Sequence, residues 1–430
     1  MNSNDNINRL LDHLFRHESG KLVSVLTRIF GTDNLELAED VVQDALAEAF
    51  KQWTFSGIPE NPAGWLYTVS KNKALNILNR EKHKREYADE IAGYSESQSA
   101  SGQIPDNYFT DQEIADDQLR MIFICCHPSI SPDSQIALTL KTLCGFSKKE
   151  IARAFLTNEE TINKKLVRAR QKLRQNRIAF EIPGSGHLDK RLNSVLKTIY
   201  LLFNEGYSAS TGKELIRAEL CEEAIRLAEM ISEHEAIQNK SDVYALLSLM
   251  QLNSSRFSAR INEEGLSLTM EEQDRSVWNK ELIQAGLNNL ERTINSNNNV
   301  SVYHILAAIS ASHCVALSYE TTDWKNILSL YDSLLEFDNS PVVHLNRAIA
   351  LSRVYGAEKG IQELELIKEN SALKSYHLFY SAQAQFYIEL NNFANAADSL
   401  ENAIQLSTMP SEIILLEKRR KYCLDKLKKQ

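Results

Sequence analysis

Hydrophobic positions along most of this chain recur every three to four residues, and no stretch shows the strict alternation of a half-buried strand. The pattern predicts an all-α protein. Leu35, Ala38, Val42, Ala45, Leu46, Ala49 and Trp53 mark one side of a helix from about Leu35 to Trp53, with Glu36, Asp40, Gln43 and Asp44 on the other. An acidic face of this kind is either simply solvated or a surface for a partner. Asn61-Pro62 then supplies a helix cap and a first-turn proline. The helix it opens carries six Lys or Arg against two Glu from Gly64 to Glu86, with Trp65 and Tyr67 near its start. Rings beside a basic strip suit a strand-separated nucleic acid, where bases stack on aromatics and cations hold phosphates. The competing reading places Trp65 and Tyr67 in the core.

A second pattern lies between Ser147 and Arg174. It predicts two short helices joined by a three-residue turn. Ser147 and Glu150 form a capping box for the first, and Asn158 caps the second. Ile162, Leu166, Ala169 and Leu173 repeat at helical spacing and face a core, so Glu160, Lys164 and Arg168 point away from it. A helix-turn-helix presents its recognition helix to a major groove in this way. From Ser147 to Arg177 there are ten Lys or Arg against three Glu, enough for a phosphate footprint. The plain alternative is a surface hairpin with a solvated basic face.

These patterns divide the chain. Residues 1–90 form a first helical unit, 91–115 a Ser-rich linker containing Gly102 and Pro105, and 116–180 a second unit ending in the helix-turn-helix. A break at Pro183-Gly184-Ser185-Gly186 precedes a helical C-terminal part over 185–430. There Trp324, Ile327, Tyr331 and Leu334 recur 69 residues later as Phe393, Ala396, Leu400 and Ala403. Gly360, Leu364 and Ile367 precede the latter three by 36, and Ala350 precedes Ala384 by 34. Small residues repeating near 34 predict tetratricopeptide-like helix pairs at roughly 302–337, 341–368 and 375–407. An ordinary bundle with chance spacing is the alternative.

Charge sharpens the division. The 430 residues carry a net charge of −9, of which residues 1–178 contribute −1 (23 basic, 24 acidic) and the remainder −8. Any nucleic-acid contact is therefore directed by local basic patches rather than diffuse. No apolar run has the length of a membrane span, and MNSNDNINRL has no signal-peptide layout, so a cytoplasmic, reduced setting is expected, with no membrane partner. Six cysteines make no disulfide framework, and adjacent Cys125-Cys126 beside His127 suit helix packing better than a metal site. With no phosphate-binding glycine loop and no nucleophile or metal motif at the required spacing, an enzyme is the least supported class, and neither cofactor nor metal is expected.

The order of these segments carries a resemblance. ELAEDVVQDALAEAF, then NPAGWLYTVSKNKALNILNREKHKRE, then a linker, then SQIALTLKTLCGFSKKEIARAFLTNEETINKKLVRARQKLR is similar to a bacterial RNA polymerase sigma factor of the extracytoplasmic-function group, which keeps regions 2 and 4. FICCHPSISPDSQIALTL, IYLLFNEGYSAS and LIRAELCEEAIRLA resemble the subgroup with a tetratricopeptide-like C-terminal extension. The resemblance implies that Asp40, Gln43 and Asp44 dock on the clamp helices of the polymerase largest subunit. It implies contact of Lys71, Asn72, Asn79, Arg80 and Trp65 with the minus-ten element. Many relatives carry Asp and Arg where this chain has Asn76 and Asn79, so promoter preference or melting strength is expected to differ. It implies that Glu160, Asn163 and Lys164 touch bases of the minus-thirty-five element, while Lys165, Arg168 and Arg170 hold phosphates. Partners follow as core polymerase (clamp helices and flap) and promoter DNA, with a regulatory protein or small molecule expected at the extension. A ligand-sensing helix-turn-helix regulator that binds operators without polymerase is the alternative. Asn204-Glu205-Gly206-Tyr207 reads either as a contact surface between the sigma core and the extension or as a helix end with Gly206 left-handed.

Overall fold

The computed structural model describes residues 18–92, 106–154, 157–207, 216–235, 237–262, 266–294 and 300–428. Among them no strand forms beyond one isolated bridge between Ile261 and Ser267. Two compact units divide the chain, Met1–Leu202 and Phe203–Gln430.

The first unit contains α1 (residues 18–30), α2 (Leu35–Ser56), α3 (Pro62–Ala92), α4 (Asp111–Cys125), α5 (Pro132–Thr142), α6 (Lys148–Ala154), α7 (Glu159–Gln175) and most of α8 (Ser185–Tyr207). The apolar stripe expected on α2 is buried throughout, from Leu35 to Trp53. Gly57, at φ 82°, ends that helix with its N–H on the Trp53 carbonyl, and Asn61 caps α3 by accepting from the Gly64 N–H at 2.9 Å. Tyr67 is a packing residue. Its hydroxyl donates to Glu18 at 2.8 Å, and its ring meets Phe109 edge-on. Arg28 of α1 reaches α4, pairing with Glu113 and lying 3.6 Å from Asp117, a carboxylate fully closed off from solvent.

Two expected boundaries move. The linker is shorter than 91–115, because α3 runs to Ala92 and a 3₁₀ turn at Asp106–Phe109 leads into α4; residues 93–105 lie outside the described residues. The C-terminal part does not begin at 185. Most of α8 belongs with α4 and α5: Arg191 donates to the Phe123 carbonyl, Ser194 to Gln135 at 2.8 Å, and Cys126 contacts Thr198. Cys125 and Cys126 are both buried.

The second unit contains the end of α8, then α9 (Ala218–Glu233), α10 (Ser241–Ser254), α11 (Lys280–Ile294), α12 (Val302–Val315), α13 (Trp324–Leu334), α14 (Pro341–Tyr355), α15 (Ala357–Ile367), α16 (Ser371–Lys374), α17 (His377–Glu389), α18 (Phe393–Leu406) and α19 (Pro410–Leu427). The almost wholly buried α10 packs against α9, α11 and α12. Beyond it successive helices pack on one another, except that α15 packs past the short α16 on α17, and α12 with α13, α14 with α15 and α17 with α18 fall inside the three expected intervals. The repeating small positions lie at helix crossings. Ala350, Ala384, Ala396 and Ala403 are buried, and a Cβ on Gly360 would come within 2.7 Å of both Phe386 and Ser352. Gly206 is helical rather than left-handed. Its missing side chain is a packing requirement, since a Cβ there would sit 2.7 Å from Cys221 Sγ and from Leu220. Beside it, Glu205 pairs with Arg217 at 3.1 Å, and Tyr207 stacks on Phe203 and under the Arg260 guanidinium.

Candidate nucleic-acid and partner interface

The helix-turn-helix is built as its sequence dictates. Ser147 and Glu150 satisfy one another's backbone N–H groups at 3.1 and 2.8 Å, and Asn158 accepts from the Thr161 N–H at 2.8 Å. Ile162, Leu166, Ala169 and Leu173 are buried, which fixes the rotation of α7. Glu160, Lys164 and Arg168 accordingly stand in solvent, with Lys164 and Glu160 paired at 2.8 Å one turn apart. Asn163 is half-buried and accepts from Lys148 of α6 at 2.7 Å, which ties the two helices together. Lys165 reaches back to Asp133 at 3.0 Å. Arg170 departs from expectation. It is buried rather than phosphate-facing, because its guanidinium pairs with Glu39 at 2.5 Å and Glu36 at 3.3 Å, both on α2.

On α2 the residues Asp40, Gln43 and Asp44 are all exposed, opposite the buried stripe. A groove of about 700 Å³ runs beside them, with Glu36, Asp40 and Gln43 on one wall and Lys148, Lys149 and Glu159 on the other. Behind it lies the α2–α7 contact. Arg174 extends the pairing to Glu36 at 2.7 Å and to the Asp33 carbonyl at 3.1 Å, Thr142 donates to Glu39 at 3.0 Å, and Thr32 donates to the Ile178 carbonyl at 2.6 Å. The α2 helix and the recognition helix thus share one polar seam. Its central member, Glu39, is absent from the residues that sequence reasoning selects. A signal for it exists: Glu39 sits four residues after Leu35 and three before Val42, on the apolar side of α2, as Arg170 does beside Leu166, Ala169 and Leu173 on α7.

On α3, Asn72, Asn79 and Arg80 are exposed and Lys71 is half-buried. Trp65 packs edge-on against the buried Trp53, with ring centroids 5.4 Å apart, so part of its surface belongs to the α2–α3 packing and part remains open. The structure therefore places a basic, amide-bearing strip on α3, an acidic face on α2 and a basic recognition helix α7 in one unit.

Comparison with known proteins finds two family matches within this unit. Residues 14–84 match Sigma-70 region 2, and residues 120–173 match Sigma-70, region 4. Residues 191–294 match a family of unknown function, DUF6596. An uncharacterized protein of Rhizobium meliloti is 34% identical over 379 residues, 88% of each chain. The probable ECF RNA polymerase sigma factor SigI of Mycobacterium tuberculosis is 22% identical over 173 residues, 40% of this chain and 57% of that one. The ECF RNA polymerase sigma-E factor of Escherichia coli is 25% identical over 151 residues, 35% and 78% of the two chains. No solved structure matches. The chain belongs to the sigma-70 family of bacterial RNA polymerase sigma factors. Within that family it is of the extracytoplasmic-function type and carries a C-terminal extension, and its function is to direct transcription initiation.

Proposed function

We propose that α2 docks the chain on core RNA polymerase through Asp40, Gln43 and Asp44, that α3 engages the minus-ten element, and that α7 reads the minus-thirty-five element. The observation that carries this reading is the pair of solvent-open faces on one unit, acidic on α2 and basic on α7, within the segments matching regions 2 and 4. Exposed carboxylates and an amide on a rigid helix offer charge-assisted hydrogen bonds to the basic clamp helices while leaving the complex reversible. On α7, Glu160, Asn163 and Lys164 lie in the first turns, where a recognition helix meets base edges, and Arg168 lies one turn further on for phosphate. Lys165 joins Arg168 once it leaves Asp133. Arg170 holds α7 to α2 in the free chain instead. On α3, Lys71, Asn72, Asn79 and Arg80 offer cations and amides to the opened strand, and the open edge of Trp65 offers a stacking surface. Opening that strand costs a few kcal/mol per unstacked base, which capture by α3 offsets.

The two elements lie about 25 base pairs apart, on the order of 85 Å of duplex. Helices α2 and α7 touch through a 2.5 Å ion pair. Promoter engagement at both elements therefore requires the α2–α7 seam to open, freeing Glu36, Glu39, Arg170 and Arg174. The extension acts as a modulator, its successive helix pairs forming a tetratricopeptide-like array that supports the promoter complex. Binding of purified core polymerase to Asp44→Arg tests the docking face: the lost charge-assisted contact is worth about 1.5–3 kcal/mol, roughly ten- to a hundredfold in affinity. Unchanged affinity in a folded variant would remove α2 from the interface.

A further inference from the structure

The second unit holds a cavity of about 570 Å³ that neither sigma region reaches, walled by α14, α17, α19, Tyr319 and the turn Thr269–Glu272. It joins two parts of that unit. The turn lies in the segment matching the family of unknown function, and the helices lie beyond it. Its floor is apolar, made by Leu345, Ile349 and Phe386. Volume and lining are those of a small-molecule site, where apolar walls carry a few convergent polar groups.

Among its polar groups, beside Asn346, Ser381 and Gln385, are two guanidiniums. Arg419 enters from α19, partly buried, and its hydrogen bond goes to the neutral Gln385 amide oxygen. Burial pushes it below the usual arginine range, and the carboxylates of Glu272, Glu271 and Glu389 offset this only in part. Arg353 enters from α14, pairs with Glu389 at 2.6 Å and lies over the Tyr319 ring, 5.8 Å from guanidinium carbon to centroid. Gln385 links the pair by donating to Glu389 at 2.9 Å. A guanidinium has five N–H donors, so most of the donors on this wall are unmatched by acceptors among the described residues. At the mouth, Glu271 and Glu272 are exposed, and Glu272 is held by the Thr269 N–H and hydroxyl at 2.8 and 2.7 Å. Two carboxylates at the entrance disfavour a multiply charged anion.

We infer that this cavity binds a small monocarboxylate with an apolar body, its carboxylate on Arg419 and Arg353 and its body against Leu345, Ile349 and Phe386. The planar fork of arginine matches two carboxylate oxygens at once, and the apolar floor takes the remainder. Bound there, the acid would bridge α14, α17 and α19 and so stiffen the extension. The inference deepens the modulatory reading of the extension, but binding and melting are read without transcription, so failure of either idea is separable from the other.

The test is calorimetry and thermal melting of the full chain with 3-phenylpropionate and octanoate, against 3-phenylpropanamide, octan-1-ol and inorganic phosphate. The acids should bind at least about tenfold tighter than their neutral counterparts and than phosphate, and should raise the melting temperature. Arg419→Gln and Arg353→Gln should each lose about tenfold for the acids and little for the amide. Equal binding of acid and amide by the unaltered chain, tighter binding of phosphate, or no binding of either acid would overturn the assignment. The unaltered chain decides this even if a variant fails to fold.

Discussion

Arg170 and Glu39 meet on the core-facing stripes of two helices, each about as shut off from solvent as the leucines around it. Removing one member of such a pair strands a buried charge, at a cost of about 3–5 kcal/mol, whereas replacing both with apolar residues is often neutral. Arg170→Met should therefore lower the urea midpoint of the first unit strongly, and Glu39→Leu combined with it should restore most of the loss. Additive losses in the double variant would show that the pair is not coupled. A second residue-scale effect concerns His313. Burial, with Arg256 and Arg275 nearby, pushes its imidazole down to about 3 from an ordinary 6.5. The unfolded chain takes up the proton first, so this histidine's contribution to stability is complete above pH 6.5 and fades as pH falls towards 3. Melting temperature against pH should fall less steeply on the acid side in His313→Gln; superimposable slopes would contradict the assignment. Most exposed candidates are legible from helical phase alone, since Ile162 and Leu166 fix where Glu160, Lys164 and Arg168 point. Arg170 reads as a phosphate contact because its sequence neighbours are basic, while its true partner lies 131 residues away on α2.

At the scale of elements, capping and apolar period locate α2, α3, α6 and α7, because each begins or ends on a local signal: Gly57, Asn61, the Ser147–Glu150 box, Asn158. Boundaries set by tertiary packing are less legible. The Pro183–Gly186 break suggests a domain border, yet α8 returns to α4 and α5 through Arg191, Ser194 and Thr198. Gly206 suggests a helix end, yet close approach to Cys221 demands the glycine. The contact between α2 and α7 is legible only as one charged residue on each apolar stripe, Glu39 and Arg170; that these two stripes meet is decided in space. It carries its own consequence for the working complex. Gln52 on α2, turned away from the Asp40–Asp44 face, and Lys172 on α7 are both exposed, and labelling them leaves the docking face clear. Spin labels on Gln52→Cys and Lys172→Cys should give one short distance in the free chain, held there by the seam. In the complex with polymerase and a promoter carrying both elements, their separation should grow towards the order of 85 Å. A distance unchanged in that complex would rule out opening of the seam.

At the scale of the whole molecule, the chain passes from one compact unit to the other within a single helix, between Leu202 and Phe203. A truncation after residue 180 would strip α8 from α4 and α5, whereas one after residue 202 keeps those contacts. The 1–202 chain should therefore melt as a cooperative unit where 1–180 does not, and it should form promoter complexes more weakly than the full chain. Equal promoter activity of 1–202 and the full chain would sink the supportive role proposed for the extension. The central claim, promoter-specific initiation through the α2 and α7 faces, is tested most directly by in vitro transcription with core polymerase and a genomic DNA library. The account predicts discrete new start sites, each preceded by a shared bipartite element, when the chain is added, and their loss with a folded Asp44→Arg variant. No new start sites, with the chain still binding duplex DNA alone, would contradict it.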